Sequence, residues 1–180
     1  MIKWLFIQIF KKNGWTLKGG LPKDIKKCVL IGAPHTSNWD FIYSRAALYQ
    51  WNIPLKLLVK DSLFFFPLGP ILKSMGAIPV KRDAKTGMVE AMANQLKASD
   101  DLIILLAPEG TRSKVDSFKK GFYHTAKLAG VPIVCGYLDY ENKVAAIEKV
   151  IYPGEDMEAD LQAIYDYYKP IKGKHPEKGI

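Results

Sequence analysis

Two short runs carry the residue types that can do chemistry. In Pro34-His-Thr-Ser-Asn-Trp-Asp40, a histidine stands five positions ahead of a carboxylate. A carboxylate that accepts a hydrogen bond from one ring nitrogen fixes the imidazole tautomer and leaves the other nitrogen free to take a proton. Much further along, Pro108-Glu-Gly-Thr-Arg112 offers a permanent cation, a glycine and backbone donors, the parts that bind an anionic substrate. A general base beside an anion site is the equipment for activating a hydroxyl next to a phosphate.

The spacing of His35 and Asp40 dictates where they must sit. On one continuous helix, five positions would place the two side chains on different faces. With His35 in a loop and Asp40 in the first helical turn, the carboxylate can swing back to the imidazole. The elements around them have that form. Cys28 to Gly32 is a short apolar run of buried-strand type, and Asn38 to Trp51 reads as a helix that Thr36, Ser37 or Asn38 can cap. Leu102 to Leu106 is the strongest strand, and Glu109 to Arg112 follow it.

The remaining elements alternate in the same manner. Strands are expected at Leu55 to Val59, Ala77 to Val80, Val131 to Tyr137 and Val144 to Tyr152. Helices are expected at the end of the Pro-broken segment Asp61 to Met75, at Thr86 to Ala98, Gly121 to Ala129 and Glu155 to Tyr168. This pattern predicts an α/β fold with a mostly parallel sheet flanked by helices. Ligands of such sheets bind at the carboxyl ends of the strands, so both chemical runs should face one crevice. No linker or internal repeat divides the 180 residues, which predicts a single domain over 1–180.

Composition narrows the class. Hydrophobic residues make up 48% and charged residues 24%, which is globular rather than disordered. The net charge of +8 suits phosphorylated substrates or an anionic membrane, while scattered lysines without a basic tract or zinc finger argue against nucleic acid. Cys28 and Cys135 lie apart in apolar surroundings, as core residues of a protein in a reducing compartment do. No run reaches the ~20 apolar residues of a spanning helix, and no signal peptide is read at the N-terminus. Residues 1–12 instead form an amphipathic pattern. Ile2, Leu5, Phe6, Ile9 and Phe10 share one helical face, flanked by Lys3, Lys11 and Lys12. Such a helix either packs on the core or lies in a bilayer interface.

Other chemistries fit less well. There is no Gly-x-Ser-x-Gly elbow for a serine hydrolase. A metal site built from His35, Asp40, Glu109 and His124 lacks paired-histidine spacing, and no metal or other cofactor is expected. A non-catalytic module for anionic lipid would explain the charge and the N-terminal helix, but not the His-Asp pair.

The ordered runs resemble the glycerolipid acyltransferase family, best known for the 1-acylglycerol-3-phosphate acyltransferases. The resemblance rests on four blocks: His35 with Asp40, the Gly-x-Ile-x-x-x-Arg pattern from Gly76 to Arg82, Glu109 to Arg112, and the Val-Pro-Ile-Val strand from Val131 to Val134. It runs from about Leu30 to Leu138. Pro34 stands where glycerophosphate acyltransferases often have Asn, and Cys135 replaces a proline common after the fourth block. Only 34 residues precede His35, fewer than many lysophosphatidate enzymes carry.

The resemblance implies transfer of a fatty acyl group from acyl-CoA or acyl-carrier protein to a lysophospholipid hydroxyl, with 1-acylglycerol-3-phosphate the expected acceptor. An aminolipid or a lipid A-type precursor is the alternative. It implies His35 as base and Asp40 as its orienter. Arg82, Glu109, Gly110, Thr111 and Arg112 fall at the substrate: the arginines on the phosphate, Glu109 on Arg112 or on the acceptor's hydroxyls. The expected location is cytoplasmic, peripheral on the inner face of the membrane.

Overall fold

A computed structural model of the chain describes residues 2–74, 76–80 and 87–179. Along it run α1 (Ile2–Lys12), β1 (Thr16–Gly19), β2 (Lys27–Gly32), α2 (Trp39–Gln50), β3 (Leu55–Lys60), α3 (Leu68–Ser74), β4 (Ala77–Val80), α4 (Met88–Ala98), β5 (Leu102–Leu106), α5 (Gly121–Ala129), β6 (Ile133–Asp139), β7 (Val144–Ile151) and α6 (Met157–Tyr168). The strands form one sheet in the order β1-β7-β6-β2-β5-β3-β4. The stretch from β6 through β2, β5 and β3 to β4 is parallel, β7 runs antiparallel to β6, and β1 pairs parallel with β7.

The central strand, β2, is flanked on both sides, with Leu30 opposite Leu105 of β5 and Val134 of β6. Its side chains alternate between two cores. Val29 and Ile31 join Ile104, Ile133 and Cys135 under α4, α5 and α6, with Met92, Leu96, Phe122, Leu161 and Ile164 packed against them. Cys28 and Leu30 point the other way, into a core shared with Leu48, Ile103, Val134 and Ile147. Both faces are dry, which is why the strand reads as an unbroken apolar run. Burial pushes both thiols, Cys28 and Cys135, up to about 12, so they pack as small apolar groups.

On the second face α2 lies against the sheet and α1 covers α2. Phe6 and Phe10 of α1 bury beside Trp15, Tyr43, Ala46 and Ala47. The expected stripe on α1 is therefore split. Phe6 and Phe10 belong to the core, whereas Ile2 and Leu5 are exposed together with Trp4. The edge strand β1, largely exposed, was absent from the expected elements. It forms because β7 presents a free edge: the Thr16 amide donates to the Lys143 carbonyl at 2.9 Å and the Gly20 amide to that of Ile147 at 2.8 Å.

Candidate active site

His35 follows β2, the second strand along the chain. β2 ends at Gly32, and Pro34, lacking an N–H, cannot extend the ladder. The chain turns out of the sheet through His35, and α2 starts at Trp39. Of the three expected caps, Ser37 acts, its Oγ accepting the Trp39 amide at 3.2 Å, while Asn38 makes no side-chain cap. Thr36 is pinned from outside, its hydroxyl accepting the His175 amide at 3.2 Å.

This junction brings Asp40 back onto His35. Nδ1 of His35 lies 2.9 Å from Oδ2 of Asp40, and the same oxygen accepts the amides of Thr36 and Ser37 at 2.9 Å each. The other oxygen, Oδ1, accepts the hydroxyl of Tyr140 at 2.6 Å. Burial alone would push the Asp40 carboxyl up. The hydrogen bonds from His35, Tyr140 and the Ser37 amide outweigh it and hold the group below the usual carboxylate range. An ionised Asp40 accepts a hydrogen bond from Nδ1–H, which leaves Nε2 as the ring's proton acceptor. The His35 side chain keeps 31% exposure against 8% for Asp40, so the imidazole can be reached from outside while the carboxylate beside it cannot.

Glu109 reaches the same junction from the end of β5. It is buried, and its Oε1 accepts the backbone amide of His35 at 2.8 Å. Its Oε2 has no hydrogen-bond partner among the described residues. Burial raises the Glu109 carboxyl, and the amides of its own residue and of His35 offset that only in part. Gly110, Thr111 and Arg112 continue outward and are exposed. Gly110 has a φ of +66°, and a side chain there would come within 2.9 Å of the Lys119 ammonium. Its glycine thus does two things: it permits the turn and it lets Lys119 lie over the loop. The Lys119 amide closes the loop onto the Pro108 carbonyl at 2.9 Å. Arg82 lies outside the described residues, and the Val131 to Val134 run leads into β6, of which Ile133 and Val134 are the buried first residues.

A cavity of about 310 Å³ opens at His35 and Arg112 and runs inward between α2 and the sheet. Asn38, Phe41 and Ser44 stand near His35 and Arg112, and Leu30, Leu48, Leu105, Leu138 and Ile147 line the interior. The lining is mostly apolar with a polar end, the form that takes a chain-like ligand with one reactive head. His124 is exposed on α5, and among the described residues no three His, Cys, Asp or Glu side chains gather as metal ligands would.

The family model described as "Acyltransferase" matches residues 19–138, a stretch that holds His35, Asp40 and Glu109 to Arg112 but not Tyr140. The chain belongs to the acyltransferase family. One relative, the 1-acyl-sn-glycerol-3-phosphate acyltransferase of Haemophilus influenzae, is 28% identical over 138 residues, which cover 72% of this chain and 56% of that protein. The chain thus spans little more than half the length of that relative. The crystal structure of the 1-acyl-sn-glycerophosphate (LPA) acyltransferase PlsC from Thermotoga maritima matches with a TM-score of 0.67 at 18% identity, over 94% of this chain and 76% of that one. That likeness is one of fold.

Within this acyltransferase fold, two residues escaped the sequence reading. Lys119 belongs to a basic pair that nothing in its spacing tied to Gly110. Tyr140 lies 100 residues beyond Asp40 in a turn without a motif.

Proposed function

We propose that the chain transfers a fatty acyl group from an acyl thioester, on CoA or a carrier protein, to a hydroxyl of a lysophospholipid, with 1-acylglycerol-3-phosphate the favoured acceptor. The observation that carries this reading is a histidine oriented by a buried, ionised aspartate at the mouth of an apolar cavity whose rim also holds an arginine. The names of the two acyltransferase relatives favour the same acceptor.

The reaction follows from these parts. Nε2 of His35 takes the hydroxyl proton as that oxygen attacks the thioester carbonyl. The C–O bond forms, the C–S bond breaks, and the imidazolium returns its proton to the departing thiolate. Asp40 stays ionised and stabilises the imidazolium. A thioester is already activated, so positioning the two reactants carries most of the remaining work. Arg112 holds the acceptor phosphate, with Lys119, which lies over Gly110 of the same loop, and Arg82 as further candidates for that role. The cavity between α2 and the sheet takes the acyl chain.

No described helix is long and apolar enough to cross a membrane. We infer that α1 seats the enzyme on an anionic bilayer at the inner face of the membrane. Its Phe6 ring meets Phe41 of α2 at 6.2 Å, and Phe41 lines the cavity, so the helix that exposes Ile2, Trp4 and Leu5 packs directly on a residue of the cavity's lining. Each large apolar side chain removed from water contributes ~1.5–3 kcal/mol at full burial. Each nearby lysine adds roughly 1 kcal/mol at an anionic surface.

The test is lipid mass spectrometry after incubation with mixed lysolipids and both acyl donors. The expected product is the diacylated phosphate lipid, absent with His35→Ala. Lipid bound without any acylated product would favour a binding module, and acylation of an aminolipid or lipid A-type acceptor alone would replace the favoured substrate.

A further inference from the structure

Among the described residues, the hydroxyl of Tyr140 is the one donor to Oδ1 of Asp40, and its ring is held from several sides. Tyr140 sits in the turn between β6 and β7. Asp139 ties that turn, its carboxylate accepting the Glu141 amide at 3.0 Å, the Asn142 amide at 3.4 Å and the Asn142 side chain at 2.7 Å. The Tyr140 amide donates to the Lys172 carbonyl at 2.9 Å. Its ring stands edge-on to Trp15 at 4.9 Å and to Tyr43 at 5.8 Å. Trp15 in turn packs on Phe10 of α1 at 5.8 Å.

This rigidity has a chemical consequence. Asp40 is 6% exposed, so water cannot readily replace a lost partner of Oδ1. Oδ2 already takes His35 and two amides, while Oδ1 depends on Tyr140. We propose that Tyr140 is a positioning residue for the transfer reaction. It fixes the rotation of the Asp40 carboxylate and withdraws charge from it, thereby setting how strongly Asp40 stabilises protonated His35. Burial and then the Asp40 carboxylate push the Tyr140 hydroxyl far up, so it remains a donor across the working pH range.

The groups in and around the His35 and Asp40 pair come from several elements. They are Asp40 on α2, Glu109 and Arg112 after β5, Tyr140 after β6, and the C-terminal segment whose His175 amide bonds Thr36. Tyr140→Phe changes one of them, keeps the ring packing and leaves the rest in place.

The inference rests on His35 acting as the base. Two measurements separate its failure from the failure of that reading: the pH profile of kcat/KM, and the ring-proton NMR titration of His35, which needs no substrate. Without the tyrosine donor the carboxylate is more basic and the imidazolium better stabilised. The expected result for Tyr140→Phe is therefore an acid limb and a His35 titration midpoint both moved to higher pH, by roughly half a unit to one unit. Kcat should fall roughly tenfold with acceptor KM little changed, as a misoriented base produces. Trp15→Phe, which disturbs packing but not the hydroxyl, should lower Tm and leave the titration in place. A moved NMR titration with no acyl transfer in either protein would uphold the coupling and reject the acyltransferase reading. An unmoved titration in Tyr140→Phe, whatever happens to Tm or kcat, would reduce Tyr140 to packing and overturn the proposal.

Discussion

The two halves of the site are built in opposite ways. At the end of β2, His35, Asp40 and Glu109 lie within a dense set of hydrogen bonds, and two of the three are buried. Gly110 to Arg112, after β5, stand in solvent, and Arg112 forms no ion pair among the described residues. On the proposed function, the difference follows from what each half must do. A base works only if its tautomer and direction are set before the substrate arrives. A phosphate clamp needs a cation that stays hydrated and available until the anion displaces the water.

Breaking the buried half should have the largest effect. His35→Ala and Asp40→Ala are expected to lower kcat by ~10²–10⁴-fold, with circular dichroism unchanged. Near-normal turnover in either would end the assignment of the base. Breaking the exposed half should act on binding instead. Arg112→Ala removes charge-assisted hydrogen bonds and is expected to raise the KM for a phosphorylated acceptor by ~10–100-fold with kcat nearly intact. Arg112→Lys should restore only part, because an ammonium lacks the planar fork. If saturation by the acceptor does not change in Arg112→Ala, the contrast between the halves is wrong.

The same logic divides α1. Trp4→Glu should reduce co-sedimentation with anionic vesicles and leave Tm unchanged. Phe10→Ala should lower stability by ~3–5 kcal/mol and leave vesicle binding in place. The reverse pattern would make the helix a core element only.

A smaller effect reports on the charge of Asp40. Its folded-state carboxyl is held low, so it contributes stability above its unfolded value that is lost as pH falls through the folded one. Urea melts between about pH 6 and pH 2 should show that acid loss in the wild type, and less of it in Asp40→Asn. Glu109 has the opposite sign. Its carboxyl is raised, so stability is greatest while it is protonated and declines as pH rises through its folded value, a decline that Glu109→Gln should remove.

Much of this was legible because the signals were local. An apolar run ending in Gly32 and Pro34, followed by a helical pattern, was enough to put Asp40 in reach of His35. The mostly parallel sheet followed from apolar strands alternating with helices. What stayed hidden depended on distant partners. The Glu109 carboxylate reads as a free charge until the fold buries it against the His35 amide, 74 residues away. Tyr140 lies in a turn whose sequence says nothing of Asp40. β1, a Thr-Leu-Lys-Gly run with little apolar signal, exists because β7 offers it an edge. The stripe on α1 was visible, but not that α2 would cover only Phe6, Phe10 and part of Ile9. The arginine of the second block, Arg82, lies outside the described residues.

Direct transfer by a His-Asp base, without an acyl-enzyme, is tested most simply by following thiol release on rapid mixing with an acyl thioester. With 1-acylglycerol-3-phosphate present, one thiol should appear for each new ester, and His35→Ala should abolish both. With no acceptor, neither a burst of thiol nor an acyl adduct on the intact protein should appear. A stoichiometric burst with a covalent acyl group, or release that ignores both the acceptor and His35, would contradict direct transfer.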